Sequence, residues 1–299
     1  MKKPDLSIVI LSYNTKDLLR QCLISLGKVR KEVNFVVIVP DNGSTDGSPE
    51  MVEKEFPWVK KVIRNGENLG FAAGNNVALK TVDTEYVLLL NPDTIVYKNT
   101  LKVVLRYLQK HKKVGAATCR VELPSGEIDY SCHRGFPTPW NAFCYFSGLS
   151  KLFPSYKLFS GYTATYMDLN KIHEIDSLTG AFAMIRTNVG KKIGWFDEDY
   201  FWNGEDIDFC FRLKKIGWKI IFIPDVNITH FKGSASGLHK TAASKPTKSV
   251  VQKAVLSSTQ VMRLFYQKHL SQNYPFFVNW IVYFGINLLR ILRLSKSFI

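Results

Sequence analysis

The sequence predicts an α/β fold in which a mostly parallel central sheet is covered by helices on both faces. Two observations carry this: short, continuous apolar runs alternate with segments of helical spacing, and clusters of polar turn formers follow several of those runs. The composition agrees. With 299 residues, 46% hydrophobic and 22% charged, the chain is globular, not disordered, collagen-like or polytopic in a membrane. The length allows one large domain or two small ones.

Leu6-Ser7-Ile8-Val9-Ile10-Leu11 reads as the first strand and ends in Ser12-Tyr13-Asn14-Thr15; residues 17–26 then take helical spacing through Leu18, Leu19, Cys22, Leu23 and Leu26. Residues 35–39 form a second strand, stopped by the turn-rich stretch from Pro40 to Ser48, and a short helix covers residues 51–56. A third strand is expected near residues 59–63, a helix over about 72–80, a fourth strand at 86–90 running into Asn91-Pro92-Asp93, and a helix over 101–111. The next stretch, broken by Pro124, Pro137, Pro139 and Pro154, gives no clear pattern. Regularity returns with a strand over 176–186, a helix over 206–216, and two strands at 219–224 and 226–230. Residues 230–248, rich in Gly, Ser, Ala and Lys, read as a mobile loop. Ligands of such sheets lie beyond the carboxyl ends of the strands, so the polar clusters at 12–15, 41–48 and 91–94 should converge on one cleft.

Forty Lys and Arg against 25 Asp and Glu give a net charge of +15, which favours an anionic partner. Cys22, Cys119, Cys132, Cys144 and Cys210 are odd in number, scattered and without a C-x-x-C pair, against a disulfide scaffold or structural zinc and in favour of a reducing compartment. The N-terminal apolar run is too short for a secretory signal, so a cytoplasmic protein is expected, either free or peripheral on the cytoplasmic membrane face. Residues 276–294 form an amphipathic helix. Asn279, Tyr283, Asn287, Arg290 and Arg293 fall on one stripe, while Phe277, Trp280, Ile281, Phe284, Leu288, Ile291 and Leu292 face the other way. It fits a membrane interface and a helix packed on the domain about equally; a true span is disfavoured by its charges.

Several residues suit chemistry as well as structure. Asp93, after an apolar strand, is a turn former by default, yet at the mouth of a parallel sheet it suits Mg²⁺ or Mn²⁺ shared with diphosphate oxygens. Glu205 and Asp206 precede a helix, where acids cap favourably, and one of them can also serve as general base toward an acceptor hydroxyl. His230, more often structural, can complete a metal shell with Asp93. Asp41 is a turn former that can also accept the imide N–H of uracil or thymine, and Arg64, Lys232, Lys240, Lys245 and Lys248 are surface charges that a diphosphate would welcome.

Taken in order, Val9-Ile10-Leu11-Ser12-Tyr13-Asn14, Asp41-Asn42-Gly43-Ser44-Thr45-Asp46-Gly47-Ser48, Asn68-Leu69-Gly70-Phe71-Ala72-Ala73-Gly74-Asn75-Asn76, Leu89-Leu90-Asn91-Pro92-Asp93-Thr94, Thr179-Gly180-Ala181-Phe182, Gly194-Trp195-Phe196-Asp197-Glu198, Gly204-Glu205-Asp206-Ile207-Asp208 and Thr229-His230 resemble inverting family 2 glycosyltransferases, closest to the rhamnosyltransferase-like branch. The resemblance covers roughly residues 6–236. It implies a GT-A nucleotide-diphospho-sugar transferase fold in residues 1–236, followed over 237–299 by a basic loop and a helical extension. Asp41 then corresponds to the base-binding Asp, with Ser12, Tyr13 and Asn14 around the nucleoside and Asn68, Gly70 and Asn75 in a second nucleotide-side loop. Asp93 matches the metal-binding Asp of the D-x-D motif, whose first Asp is here Asn91, and His230 matches a position that can contact metal or diphosphate. Asp206 matches the catalytic base, with Glu205 as its competitor. The implied partners are a nucleoside-diphosphate sugar, either dTDP-rhamnose or a UDP-sugar, a divalent cation, and a saccharide or lipid-linked saccharide acceptor in surface polysaccharide synthesis. Oligomeric state is not legible. A nucleotidyltransferase is the alternative enzyme class, but the Gly-rich phosphate loop it needs after the first strand is replaced by Ser12-Tyr13-Asn14-Thr15. A nucleic-acid-binding module is suggested by charge alone, and no such motif appears.

Overall fold

Strands whose side chains are all buried need cover on both faces, and the first third of the chain supplies it by alternation. The computed structural model describes residues 3–201, 203–232 and 248–298. Its elements begin with β1 (Leu6–Val9), α1 (Lys16–Val29), β2 (Phe35–Asp41), α2 (Ser48–Glu55), β3 (Lys61–Arg64), α3 (Gly70–Leu79) and β4 (Tyr86–Leu90). β3, β2, β1 and β4 lie side by side, all parallel. Every side chain of β1 and β4 is buried, as a doubly covered sheet requires. The expected boundaries hold to within a few residues.

The sheet then changes character. β5 (Thr94–Val96), α4 (Thr100–Lys110) and β6 (Val114–Glu122) lead into a helical stretch with α5 (Pro139–Phe146), α6 (Leu149–Leu152) and α7 (Lys157–Ser160). They are followed by β7 (His173–Ile175), β8 (Phe182–Arg186), α8 (Thr187–Ile193), α9 (Glu205–Lys215) and β9 (Lys219–His230). Among the described residues the sheet has nine strands in the order β3-β2-β1-β4-β8-β6-β9-β5, with β7 also on β9. β8 enters antiparallel between β4 and β6.

Three expectations change here. The nine-residue strand β6 went unread, because Gly115, Ala116 and Ala117 dilute its apolar signal, although it is buried almost throughout. The strand expected over 176–186 shrinks to Phe182–Arg186, since Leu178-Thr179-Gly180-Ala181 forms an irregular approach beside the cleft. The two strands expected at 219–224 and 226–230 are one, β9. Pro224 sits where the register against β6 jumps, from Cys119 opposite Ile223 to Arg120 opposite Asn227. Proline donates no ladder hydrogen bond, and a bulge is where a sheet tolerates it.

The C-terminal helices are α10 (Lys248–Phe265) and α11 (Phe276–Phe298). They dock on α9 through a second small core of Tyr200, Phe265, Tyr266 and Leu270. Polar clasps fix the dock: His269 Nε2 lies 2.6 Å from Asp208 Oδ1, and Lys268 Nζ pairs with Asp197 and Asp199 at 2.5 and 2.6 Å. Much of the stripe expected to be polar turns inward. Asn279 accepts a hydrogen bond from the Tyr266 hydroxyl, Tyr283 packs edge-on against Tyr266, and Arg293 lies over Phe146. The apolar stripe is left outside, with Trp280 67% and Ile291 63% exposed. By length and composition Phe276–Ser295 could cross a bilayer, and none of it is buried in the protein. The mobile loop expected over 230–248 falls largely outside the described residues, as do Lys240 and Lys245.

All five cysteines are free and buried, and burial pushes the Cys22, Cys132 and Cys210 thiols up to about 12, so they are held as inert thiols. One buried pair is pH-sensitive. His133 faces His173 ring nitrogen to ring nitrogen at 2.5 Å and packs edge-on against Phe222. Burial first and His173 second lower its pKa from 6.5 to about 4. A group lowered on folding contributes stability above its unfolded pKa and loses it as pH falls through the folded value. The contribution of His133 to stability should therefore fall between about pH 6.5 and pH 4, a loss on the order of 3 kcal/mol that is read as the difference between wild type and variant, since the buried Glu205 carboxyl, raised on folding, works in the opposite direction over the same range. Thermal scans of wild type and His133→Phe check this; the variant should lack most of that slope.

Candidate active site

The β5–β9 pairing assembles the first half of the site. Its antiparallel register sets Thr94 opposite His230, and the Phe231 N–H donates to the Asp93 carbonyl at 2.8 Å. The Asp93 carboxylate therefore lies against the His230 imidazole, Oδ1 to Nε2 at 3.2 Å, with the Asn91 amide 3.4 Å from the same nitrogen. On the far side of the ring Asp129 Oδ2 stands 3.5 Å from Nδ1, an ion pair too long for a formed hydrogen bond. Lys232 Nζ closes the row at 2.8 Å from Asp129 Oδ1.

Asp93, Asp129 and His230 are all buried. Burial disfavours charge on His230, but the carboxylates of Asp129 and Asp93 outweigh it and raise its pKa to about 9. Burial also opposes charge on Asp129, and His230 and Lys232 overcome it to hold that carboxyl well below its ordinary range. Asp93 Oδ1 makes no hydrogen bond despite its burial. Its one close partner is the imidazole, held by an ion pair rather than a formed hydrogen bond, so a cation that took the place of the imidazole's proton would find this oxygen beside it. One carboxylate and one imidazole, with diphosphate oxygens to complete the shell, suit Mg²⁺ or Mn²⁺. Among the described residues no cluster of three or more His, Cys, Asp or Glu forms a metal cage, so the protein alone offers only a partial shell.

The second half is built on α9. Gly204 stands at its N-cap with φ of 91°, a left-handed conformation that suits glycine, and a Cβ there would strike Val261 of α10. Glu205, Asp206 and Asp208 fill the first turn and Arg212, Lys214 and Lys215 the last, complementing the helix dipole. Asp206 Oδ2 pairs with Arg134 at 2.6 Å and Oδ1 accepts from the Ile207 N–H at 2.7 Å. Glu205 is 6% exposed, and its Oε2 has no partner. Burial first and the adjacent Asp206 second push the Glu205 carboxyl well above the usual carboxylate range. Of the two acids, then, Glu205 is the one pushed toward its protonated form, while Asp206 is the one paired with a guanidinium, that of Arg134.

Both halves face one cavity of about 1500 Å³. Its wall includes Tyr13, Asn68, Gly70, Asn91, Asp93, Glu205, Asp206 and His230 from the residues singled out in the sequence. Ser12, Asn14, Asp41 and Asn75 are not in that wall. Ser12 bonds to Thr15, Asn14 ties down Ser44 and Thr45, and Asn75 bonds to the Phe71 carbonyl. Asp41 ends β2 with both oxygens accepting from Ser44, at 2.5 and 2.9 Å. Its neighbour Asn42 reaches the cavity instead. Asn42 donates to Asn68 and to the Gly70 carbonyl and accepts from Asn65, and a Cβ at Gly74 would collide with it. Arg64 lies apart, paired with Glu50 and Glu53.

Sequence reasoning missed Arg134 and Asp129. Both follow β6 in the stretch without a readable period, and only their contacts, with Asp206 and His230, reveal them.

The model of the family described as "Glycosyltransferase like family 2" matches residues 4–251. The chain belongs to this family. The glycosyltransferase is 25% identical over 243 residues to an N-acetylglucosaminyl-diphospho-decaprenol L-rhamnosyltransferase of Mycobacterium tuberculosis, covering 78% of each chain. It is also 25% identical to the rhamnosyltransferase WbbL of Escherichia coli K12, over 75% of this chain and 82% of the other. Its fold resembles that of the mannosyltransferase PcManGT from Pyrobaculum calidifontis, solved in complex with GDP-Man and Mn²⁺, with a TM-score of 0.58 at 16% identity over 99% of this chain and 74% of that one. The protein is thus a GT-A-fold, rhamnosyltransferase-like enzyme that transfers a sugar in polysaccharide synthesis.

The packing at Gly204 is open to test. Gly204→Ala should destabilise the protein by about 1–2 kcal/mol from left-handed strain alone, and by more from the collision with Val261. Denaturant midpoints of Gly204→Ala and of Gly204→Ala with Val261→Ala check this; the second substitution should recover the collision part only.

Proposed function

We propose that the enzyme is an inverting transferase that moves a sugar, rhamnose first among candidates, from a dTDP- or UDP-sugar to a hydroxyl of a saccharide acceptor, lipid-linked as in the decaprenol acceptor named for its mycobacterial relative. The observation that supports this is the shared cavity, which sets the Asp93–His230 corner and the Glu205–Asp206 acids around one space. Asn42, Asn68 and Tyr13 flank the donor end, and Asp41, with Ser12, Asn14 and Asn75 behind the wall, shapes the loops that receive the base.

Asp93 and, once it gives up the proton that its two carboxylates favour, His230 would hold Mg²⁺ or Mn²⁺, which when bound supplies positive charge to the departing diphosphate. Lys232 adds a fixed cation beside that corner. Asp206 accepts the proton of the acceptor hydroxyl as its oxygen attacks the anomeric carbon opposite the leaving diphosphate, and a single in-line displacement inverts the centre. Arg134 orients Asp206 for this task, while Glu205, kept neutral by burial and by its neighbour's charge, adds no second negative charge against the incoming donor.

The catalytic part is residues 1–236, with 237–299 as an extension whose described helices, α10 and α11, dock on α9. The exposed apolar stripe of α11 together with the net charge of +15 fits an anionic membrane surface, so the enzyme works as a peripheral protein on the cytoplasmic face.

General-base help is commonly worth about 10²–10⁴-fold. Asp206→Asn should therefore lower kcat by about that factor with the Kd for the nucleotide sugar nearly unchanged; equal loss of donor affinity would remove Asp206 from the role of base. Asp93→Ala should weaken donor binding at least tenfold with Mn²⁺ present and little without it. Isothermal titration in both conditions reads this difference, and unchanged affinity in each would remove Asp93 from the metal site.

A further inference from the structure

The cavity is larger than a donor needs. Sites for one small ligand run to about 300–1,000 Å³, whereas this one holds about 1500 Å³. Beyond Glu205 and Asp206 it continues as a trough with apolar walls: Phe143 and Phe146 of α5, Val261 and Met262 of α10, Ile286 and Leu289 of α11. No sugar or nucleotide calls for such a lining. Ile281, Leu288 and Leu292 line the trough and keep 59%, 44% and 51% of their surface accessible. The trough wall and the apolar stripe that Trp280 and Phe284 continue therefore share one helix, α11.

We propose that this trough is the subsite for the hydrocarbon chain of the acceptor, and that its occupant is the isoprenoid tail of a diphosphate-linked saccharide entering laterally from the bilayer. This rests on the acceptor reading above and adds where the chain lies. The occupant must have an apolar body, an anionic head and a hydroxyl at the reacting end. The walls match the body. Arg134, in the cavity wall beside Asp206, matches the head. The saccharide then lies on the cavity side of this pair, with its hydroxyl toward Asp206. Chain and bilayer meet the same helix on adjacent surfaces, so the tail need not leave an apolar environment to reach the site.

Binding of the isoprenoid diphosphates themselves tests the trough apart from catalysis. In detergent micelles, a C55 isoprenoid diphosphate should bind the full-length protein at least tenfold more tightly than a C10 isoprenoid diphosphate. Ile286→Trp, which fills the trough, should erase that preference while leaving dTDP and UDP affinity and C10 affinity within twofold. Phe284→Ser, on the outer stripe and outside the cavity wall, should keep the chain-length preference while weakening attachment to phosphatidylglycerol vesicles. A diazirine-bearing C55 diphosphate should label peptides of α5, α10 and α11, which keeps the test decisive if Ile286→Trp fails to fold.

Equal affinity for C10 and C55, or labelling elsewhere, overturns the proposal. Equal competition by palmitoyl lysophosphatidic acid overturns its isoprenoid part. The transferase reading fails separately: if the chain binds and labels as expected but no nucleotide sugar is transferred to any isoprenoid-linked saccharide, the trough stands and the acceptor assignment falls.

Discussion

The three-residue pairing of β5 with the end of β9 is the constraint on which the site depends. It joins the turn after the last parallel strand to the end of the longest strand, and so sets a carboxylate and an imidazole from opposite ends of the domain 3.2 Å apart. Charges buried in this way are costly unless paired. The row Asp93, His230, Asp129, Lys232 meets that cost by alternating sign, at the expense of two carboxylate oxygens, Asp93 Oδ1 and Asp129 Oδ2, held by ion pairs without a hydrogen bond.

The remaining architecture holds a second, differently tuned pair of acids opposite this row. Glu205 and Asp206 are neighbours in one turn, yet their surroundings separate them. One is enclosed without a partner, the other is clamped by a guanidinium and a backbone N–H. Burial and the neighbouring Asp206 push the Glu205 carboxyl toward its neutral form, so a single helix end can present two acids without collecting two full negative charges.

Much of the fold was legible in the sequence, because the parallel half of the sheet obeys simple periodicity. Asp93 was singled out after β4, His230 at the end of β9, and Glu205 and Asp206 at the start of α9. Asp129 and Arg134 were not. They sit in a loop whose position is set by tertiary contacts, and an isolated acid or base in an aperiodic stretch gives no local signal. Asp41 illustrates the opposite limit: its residue type suits base recognition, but the folded loop occupies both its oxygens and presents Asn42 to the cavity. Pro224 misled for a related reason, since a breaker by composition becomes a bulge when the partner strand shifts register to receive it.

The helix that carries the acids also carries the anchor points of the C-terminal pair, with Asp208 bound to His269 and Phe211 packed against Phe265. An α-helix is a stiff rod, so a tilt imposed along its flank is delivered to its tip. A load on the C-terminal pair is therefore a load on the tip of α9, where Gly204, Glu205 and Asp206 stand.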